Sequence, residues 1–476
     1  MMCYIRGLLL SLATVVPAFS QTIDNLSEGV RAYVDVPESV VAITHATVID
    51  GTGAPAARDM TVVVQDGVIT AYGKTSAVNV PDGARVINAS DDTVMPGMVG
   101  LHNHTYYTTS RRSAQLNYSA PRLYLASGVT TIRTTGSRAP YSEINLKAGI
   151  DNGDIPGPRL FVTGPYITGG EGMTTMTKVS SPEDARRVVE YWANEGVQWF
   201  KAYTQIGHDE LAAAIDEAHK HGVKVTGHLC SVSFREAVAM GIDNLEHGFF
   251  TNTDYYEGKE KSVCPPDFRS KLIDVDLDGP EVKATFDDMI SNGVPMTSTL
   301  AVYEMFVPGR PPLDERVLAA MSDEVKADFL ERRAQVAKQR DNPDYPFTEA
   351  LFDKALAYEY KFYKAGGLLA SGVDPTGYGG ALPGYGDQRN YELLREAGFT
   401  PEECVQILSL NGARVLGIDD ELGSIAVGKK ADLVVLRGDL RANDQNIQKV
   451  QWVFKDGVGF SAQKLIDAVR GEVGVR

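Results

Sequence analysis

The amino-acid sequence predicts an α/β fold, a (β/α)8 TIM barrel with a small composite β-sandwich domain formed by both termini. Three observations lead there. Short β-rich runs occupy both ends of the chain, apolar strand-like runs alternate with helical patterns through the middle, and four of the eight histidines fall where those middle runs end. A parallel barrel presents its chemistry at that edge of its strands. At 476 residues the chain is about three times the roughly 150-residue domain prior, which suits one large barrel with a small companion.

Residues 1–20 hold one charge, Arg6, then the apolar run GLLLSLATVV and the small-residue pattern Ala18-Phe19-Ser20. This is expected to be a secretory signal peptide cleaved before Gln21, since the run is too short to span a bilayer. No later stretch is long and apolar enough to cross a membrane, so an exported protein, periplasmic or secreted, is expected, without membrane attachment once the signal is removed.

Residues 21–94 are expected to form the first part of the sandwich. Runs at Val40–Ile49, Met60–Val64, Val68–Tyr72 and Arg85–Asn88 are separated by turn residues, and Asp66-Gly67 between two of them signals a hairpin. Residues 425–476 repeat the pattern with Leu433–Leu436 and Val450–Phe454, the latter followed by Asp456-Gly457. Each set alone has too few strands to bury an inner face, so the two should combine.

The barrel is expected over 95–424, with strands at Met95–His104, Val129–Thr134, Arg159–Thr163, Val197–Tyr203, Val223–His228, Asn244–Phe249, Val294–Leu300 and Gly367–Asp374. The segment 208–222 between two of them carries Ala, Ile and Leu at helical spacing and ends at Gly222, a helix-stop signal. The stretch 301–366 exceeds one crossover and should add helices over the mouth or build an interface between copies of the chain, leaving a homo-oligomer open. The glycine-rich segment Pro375–Asn390 is expected to be a mobile element at the mouth.

Composition narrows the function. A 43% hydrophobic content excludes disorder, and a net charge of −16 repels phosphate backbones, so nucleic-acid partners are not expected. Removal of the leader leaves Cys230, Cys264 and Cys404, an odd and scattered set that permits at most one bridge and argues against a disulfide framework.

His102 and His104, two apart on one strand, share a face and can chelate a cation. His228 and His247 offer further nitrogens from strands five and six, and Asp374 ends strand eight. Lys201 ends strand four. As an ammonium it would be repelled by a metal, so it reads either as an ion-pair partner or general acid, or as a deprotonated amine carboxylated by carbon dioxide. Glu246, beside His247, could orient an imidazole, although strand alternation turns it away from its neighbour. His45, His208, His219 and His221 lie away from strand ends and are assigned ordinary structural roles.

The order His102-Asn103-His104 after Pro96-Gly97, then Lys201, His228, His247 and Asp374, resembles the metal-dependent amidohydrolase superfamily, especially its imidazolonepropionase-like and prolidase-like branch. AMGIDNLEHG and LGSIAVGKKADLVVL add to the likeness, which spans nearly the whole chain after residue 20. The resemblance implies two divalent metal ions: His102, His104 and Asp374 on one, His228 and His247 on the other, and N6-carboxylated Lys201 bridging both. Zinc is the expected ion, and manganese, cobalt or iron fit the same donors. Imidazolonepropionase uses a single metal without the lysine, so Lys201 directs the reading to the binuclear relatives that cleave peptides or acyl-amino acids. Two cations sharing a water would supply a bridging hydroxide at neutral pH and polarise the scissile carbonyl, with Asp374 as catalytic proton carrier. One departure stands out: where relatives often carry His-x-Glu-Leu after strand eight, this chain has Asn390-Tyr391-Glu392-Leu393.

Arg111 and Arg112 after strand one and Arg133 and Arg138 around the end of strand two are candidates for clamping a substrate carboxylate. Tyr166 and Tyr203 could hydrogen-bond the oxyanion. Arg112, Arg138, Tyr166 and Tyr203 are thus the expected substrate contacts. The resulting expectation is a hydrolase of amide bonds in small carboxylate-bearing molecules such as dipeptides or N-acyl amino acids. The alternatives are cyclic amides or esters and lactones cleaved by the same site, or a non-catalytic periplasmic binding protein.

Overall fold

In the computed structural model residues 22–170 and 175–475 are described; the apolar leader lies outside them. Strands β1 (Val34–Val36), β2 (Val40–Val48), β3 (Ala57–Gln65), β4 (Val68–Lys74), β5 (Arg85–Asn88) and β6 (Thr93–Pro96) come from the N-terminal end. A middle set follows: β7 (Met98–Asn103), the hairpin β8 (Tyr106–Thr108) and β9 (Ser113–Gln115), β10 (Val129–Thr134), β11 (Arg159–Phe161), β12 (Thr163–Thr168), β13 (Thr177–Lys178) and β14 (Trp199–Ala202). It continues with β15 (Lys224–Gly227), β16 (Asn244–Glu246), β17 (Met296–Ser298) and β18 (Leu369–Ser371), and the C-terminal end adds β19 (Leu433–Leu436), β20 (Val450–Lys455) and β21 (Val458–Ser461).

Strands from both ends join one nine-stranded sheet in the order β1-β21-β20-β19-β6-β2-β3-β4, with β5 also on β2. The joint is β19, antiparallel to both β6 and β20. The positive φ of His45 (62°) kinks β2, so its first half pairs with β5 and its second with β6. Alternation along β19 sorts the cores. Leu433 and Val435 pack with Val41, Ile43, Val62 and Phe454 inside the sheet, while Val434 and Leu436 face the parallel strands. The sequence-signalled hairpin is present, with Asp66-Gly67 at φ 48° and 81°, and Asp456-Gly457 at 48° and 82° makes a second, the doubly positive pair a two-residue turn requires.

The middle strands are parallel, in the runs β11-β10-β7 and β13-β12-β14-β15-β16-β17-β18. Only Val162 separates β11 from β12, Ser137 bridges to Pro165, and the Asp374 N–H donates to the His102 carbonyl at 2.7 Å, so the end of the last strand meets the first. The expected first run, Met95–His104, splits at Gly97: Met95 and Pro96 pair with β19, and only Met98 onward joins the parallel set.

The helix His208–Lys220 buries Leu211, Ala214, Ile215 and Ala218 at helical spacing, and Gly222 (φ 68°) follows its end. The 301–366 stretch supplies the helices Glu315–Ala320, Asp323–Ala337 and Glu349–Lys364, preceded by Leu300–Glu304. Pro375–Asn390 departs from expectation. Its second part belongs to the helix Tyr385–Glu396, and its first part is packed, with Tyr107 Oη donating to the Gly379 carbonyl at 2.8 Å and Tyr378 Oη to that of Met305. Burial of Tyr378, Ala381 and Leu382 gives the reason, since these side chains anchor the glycine-rich backbone in the core. Among the described residues no helix is long and apolar enough to cross a membrane.

Glu359, on the helix Glu349–Lys364, is buried with one carboxyl oxygen lacking a hydrogen-bond partner. Burial pushes its carboxyl up to about 8. Below the ordinary carboxyl value both states hold the proton. Between that value and about 8 the unfolded chain releases it and the folded chain keeps it, so stability falls as pH rises through this window. Glu359→Gln should therefore melt at a higher temperature than wild type at pH 8, with the gap closing at pH 5; a gap independent of pH would refute this.

Candidate metal centre and active site

The C-terminal ends of the parallel strands bring the predicted residues together. His102 lies near the end of β7 and His104 follows it, Lys201 lies in β14, His228 and His247 follow β15 and β16, and Asp374 follows β18. Asp374 Oδ1 lies 3.3 Å from His104 Nε2, and Oδ2 lies 3.5 Å from His102 Nε2 and 3.9 Å from His247 Nδ1. His102, His247 and Asp374 each offer a ligand atom within 4.8 Å of the others. The His228 and His247 rings are 4.2 Å apart and those of His102 and His247 4.4 Å.

Three buried imidazole nitrogens, His104 Nδ1, His228 Nε2 and His247 Nε2, have no hydrogen-bond partner. A buried polar atom without a partner is costly, and divalent ions would satisfy such nitrogens on His228 and His247, so the donor set fits a metal. Burial holds all four imidazoles toward the neutral form that ligation needs; His104 falls to about 4. Burial opposes ionisation of Asp374, but the nearby His102 and His104 and the charge of Lys201 outweigh it and keep the carboxylate well below its usual range.

Lys201 is sealed in, with Nζ 2.8 Å from His102 Nε2 and no carboxylate within ion-pair distance among the described residues. Burial lowers it to about 8 despite the pull of Glu246 and Asp374.

Glu246 accounts for the orientation of the first imidazole. Its Oε2 lies 2.7 Å from Nδ1 of His102, leaving Nε2 toward the centre, while Oε1 pairs with Arg133 at 2.5 Å and accepts from Thr226. Its partner is thus His102 and not the neighbouring His247, whose Nδ1 meets Thr299 Oγ1 at 2.7 Å. His247 has φ 69°, which interrupts strand alternation, so Glu246 and His247 both point inward. Burial would raise Glu246, but Arg133 and His102 hold it at about 2.

Beside the centre lies a cavity of about 360 Å³, with Lys201, His228 and Asp374 among its lining residues. Tyr166 and Tyr203 line it as expected; the Tyr166 hydroxyl contacts that of Tyr106 and lies 3.5 Å from His104 Nε2. Arg138 also lines it, its guanidinium over the Tyr106 ring and Nη1 donating to Ser113 at 2.8 Å.

The other arginines are engaged elsewhere. Arg112 is not a cavity residue, because its Nε pairs with Asp328 on the helix Asp323–Ala337 at 2.7 Å. Arg111 pairs with Glu331 on that helix, and Arg133 is buried against Glu246 and Trp199. Asn390, in the departed motif, accepts from the Ala301 N–H and donates to the Gly372 carbonyl, bracing the end of β18 outside the cavity. The four histidines given structural roles pair with acids: His45 with Asp59, His208 with Glu236, His219 with Asp243 and His221 with Glu217.

Sequence reading missed Tyr106, Thr299, Tyr303 and Arg269. Tyr106 was within reach, since it extends the two-residue spacing of His102 and His104. Arg269 sits in a short helix after an irregular strap, where no periodicity marks it.

Imidazoles, a lysine and an aspartate gathered at the ends of parallel strands define a metal-binding hydrolase. The chain belongs to the amidohydrolase family, whose model matches residues 93–290 and 332–458. It is 25% identical over 393 residues to the imidazolonepropionase of Porphyromonas gingivalis, covering 79% of this chain and 82% of the relative. Among solved structures, a provisional prolidase of Bifidobacterium longum is 25% identical with a TM-score of 0.64, covering 90% of this chain and 99% of that one. A Xaa-Pro dipeptidase with bound methionine shares the fold at 20% identity and a TM-score of 0.65, covering 89% of this chain and 100% of that one.

Proposed function

We propose that this chain is an exported, binuclear amidohydrolase that cleaves the amide bond of dipeptides or N-acyl amino acids. The observation that carries the reading is the grouping of His102, His104 and His247 around Asp374, with Lys201 Nζ 2.8 Å from His102 Nε2 and the His228 ring 4.2 Å from that of His247. His102, His104 and Asp374 would hold one ion, His228 and His247 the other, and zinc suits these donors. Lys201, buried without a carboxylate in ion-pair distance among the described residues, is assigned as the carboxylated bridge, since carboxylation converts a repelled ammonium into an anionic ligand. Bound divalent ions would supply an activated water and polarise the scissile carbonyl.

The chain's own groups do the rest. Asp374 accepts the proton of the attacking water and passes it to the departing amine. Tyr166 and Tyr203 donate toward the oxyanion, and Glu246 holds the His102 ring in place. Arg138 faces the substrate carboxylate. The names of the prolidase and dipeptidase relatives support a peptide-like substrate.

The architecture fits this chemistry. We read the parallel strands over 95–424 as a closed (β/α)8 barrel, supported by the hydrogen bond from Asp374 to His102, and the nine-stranded sheet of 21–94 and 425–476 as a sandwich folded over its shared core. Export through the leader at 1–20 is supported by the Cys230–Cys264 disulfide, a bond that persists in oxidising compartments.

Elemental analysis of wild type and Lys201→Ala tests the centre. Near two equivalents of metal in wild type, falling in the variant together with amide hydrolysis, is the expected result. About one equivalent, unchanged in the variant, would refute the bridging role.

A further inference from the structure

Two guanidinium groups face the cavity. Arg138 and Arg269 both line it, each with a buried Nε that has no hydrogen-bond acceptor, and neither forms an ion pair among the described residues. Among the described residues Asp374 is the one carboxylate in the lining, and it faces the histidines. Its described residues therefore carry an excess of positive charge away from the metal donors, which a substrate anion would neutralise. Val302, Phe306 and Phe347 give it an apolar wall suited to a hydrophobic side chain.

The two arginines are held differently. Arg138 lies in the loop after β10 and leans on Tyr106. Arg269 comes after residues 252–267, a strap without regular structure and largely exposed between 257 and 263. The Cys230–Cys264 disulfide fastens that strap, joining a residue two positions after His228 to one five positions before Arg269. Lys259 Nζ donates to the Ser231 carbonyl at 2.7 Å and Thr253 Oγ1 to that of Cys230 at 3.0 Å, reinforcing the same seam.

We propose that Arg269, positioned by the strap that the Cys230–Cys264 disulfide fastens to the end of β15, joins Arg138 in selecting substrates bearing a free α-carboxylate on the departing amine. This rests on the reading of the site as an amide hydrolase for carboxylate-bearing molecules. The planar guanidinium offers two parallel donors to a carboxylate, and its buried Nε, in a lining shared with Tyr203 and Tyr303, strengthens that pairing. A carboxamide at the same position leaves the guanidinium without an anion. The disulfide acts through Arg269 and is a positioning element.

The test is calorimetric binding of N-acetyl-L-methionine and its carboxamide to the metal-loaded full chain, with hydrolysis of both followed in parallel. Wild type should prefer the carboxylate, and Arg269→Met should lower the carboxylate-to-carboxamide affinity ratio by about 10- to 100-fold. Arg269→Lys, which keeps charge but not the fork, should retain part of the ratio, a result expected only if the role is recognition. Cys230→Ser with Cys264→Ser should also lower the ratio, in KM more than in kcat, with metal content unchanged. Equal affinity of wild type for both probes, or an unchanged ratio in Arg269→Met, overturns the proposal; an unchanged ratio in the double serine variant overturns the positioning by the disulfide. Carboxylate preference lost in Arg269→Met without hydrolysis of either probe would uphold the recognition and refute the amidohydrolase reading.

Discussion

Asp374→Asn should lower kcat for amide substrates by about 10²- to 10⁴-fold while the protein stays folded. Asp374 sits at φ 46°, a left-handed conformation that Asn adopts as readily as Asp, so the exchange adds no backbone strain. Its N–H keeps the bond to the His102 carbonyl at 2.7 Å. Only the ability to hold a proton and a negative charge between His102 and His104 is removed. The measurement is kcat with metal content and melting temperature on the same samples. A loss below 10-fold in a metal-loaded variant would exclude Asp374 as the proton carrier.

Glu246→Ala should destabilise the fold by about 3 to 5 kcal/mol, the range for breaking a buried ion pair from one side. Glu246 and Arg133 are both fully buried, and Glu246 also meets His102, Thr226 and Asn244. Removing the carboxylate strands a guanidinium whose remaining supports are the Leu101 carbonyl at 2.8 Å and the Trp199 ring. Joining Arg133→Met to Glu246→Ala should recover part of the loss, because the second change removes the uncompensated charge. Chemical denaturation with metal chelated makes the comparison, since bound metal would add its own binding energy to the native state. Additive losses in the double variant would show that the pair is not the source.

The comparison of sequence with structure turns on which forces are local. The span Val129–Thr134 is legible because an apolar run reports burial on both faces, and the Asp-Gly turns because φ is a property of two residues. His102 and His104 share a face by backbone geometry alone. The split at Gly97 was hidden because Met95 pairs with Val434, a partner nothing near residue 95 specifies. Arg112 looked available for the same reason: Asp328, which engages it, is 216 residues away. Glu246 was assigned by alternation, which a single left-handed residue, His247, overrides.

The shared sheet also bears on how the chain is made. Thr93 Oγ1 donates to the carbonyl of Gly438, 345 residues later. At roughly 5 to 20 residues per second, β6 emerges about 20 to 70 s before β19 exists to cover it. Throughout that interval the edge of β6 is bare, and an unpaired edge strand is a template for joining another chain. Ribosome-stalled chains ending before residue 430 should therefore self-associate, and the full-length chain should be among the slower folders of its size, its last sheet joined by contacts between the two ends of the sequence.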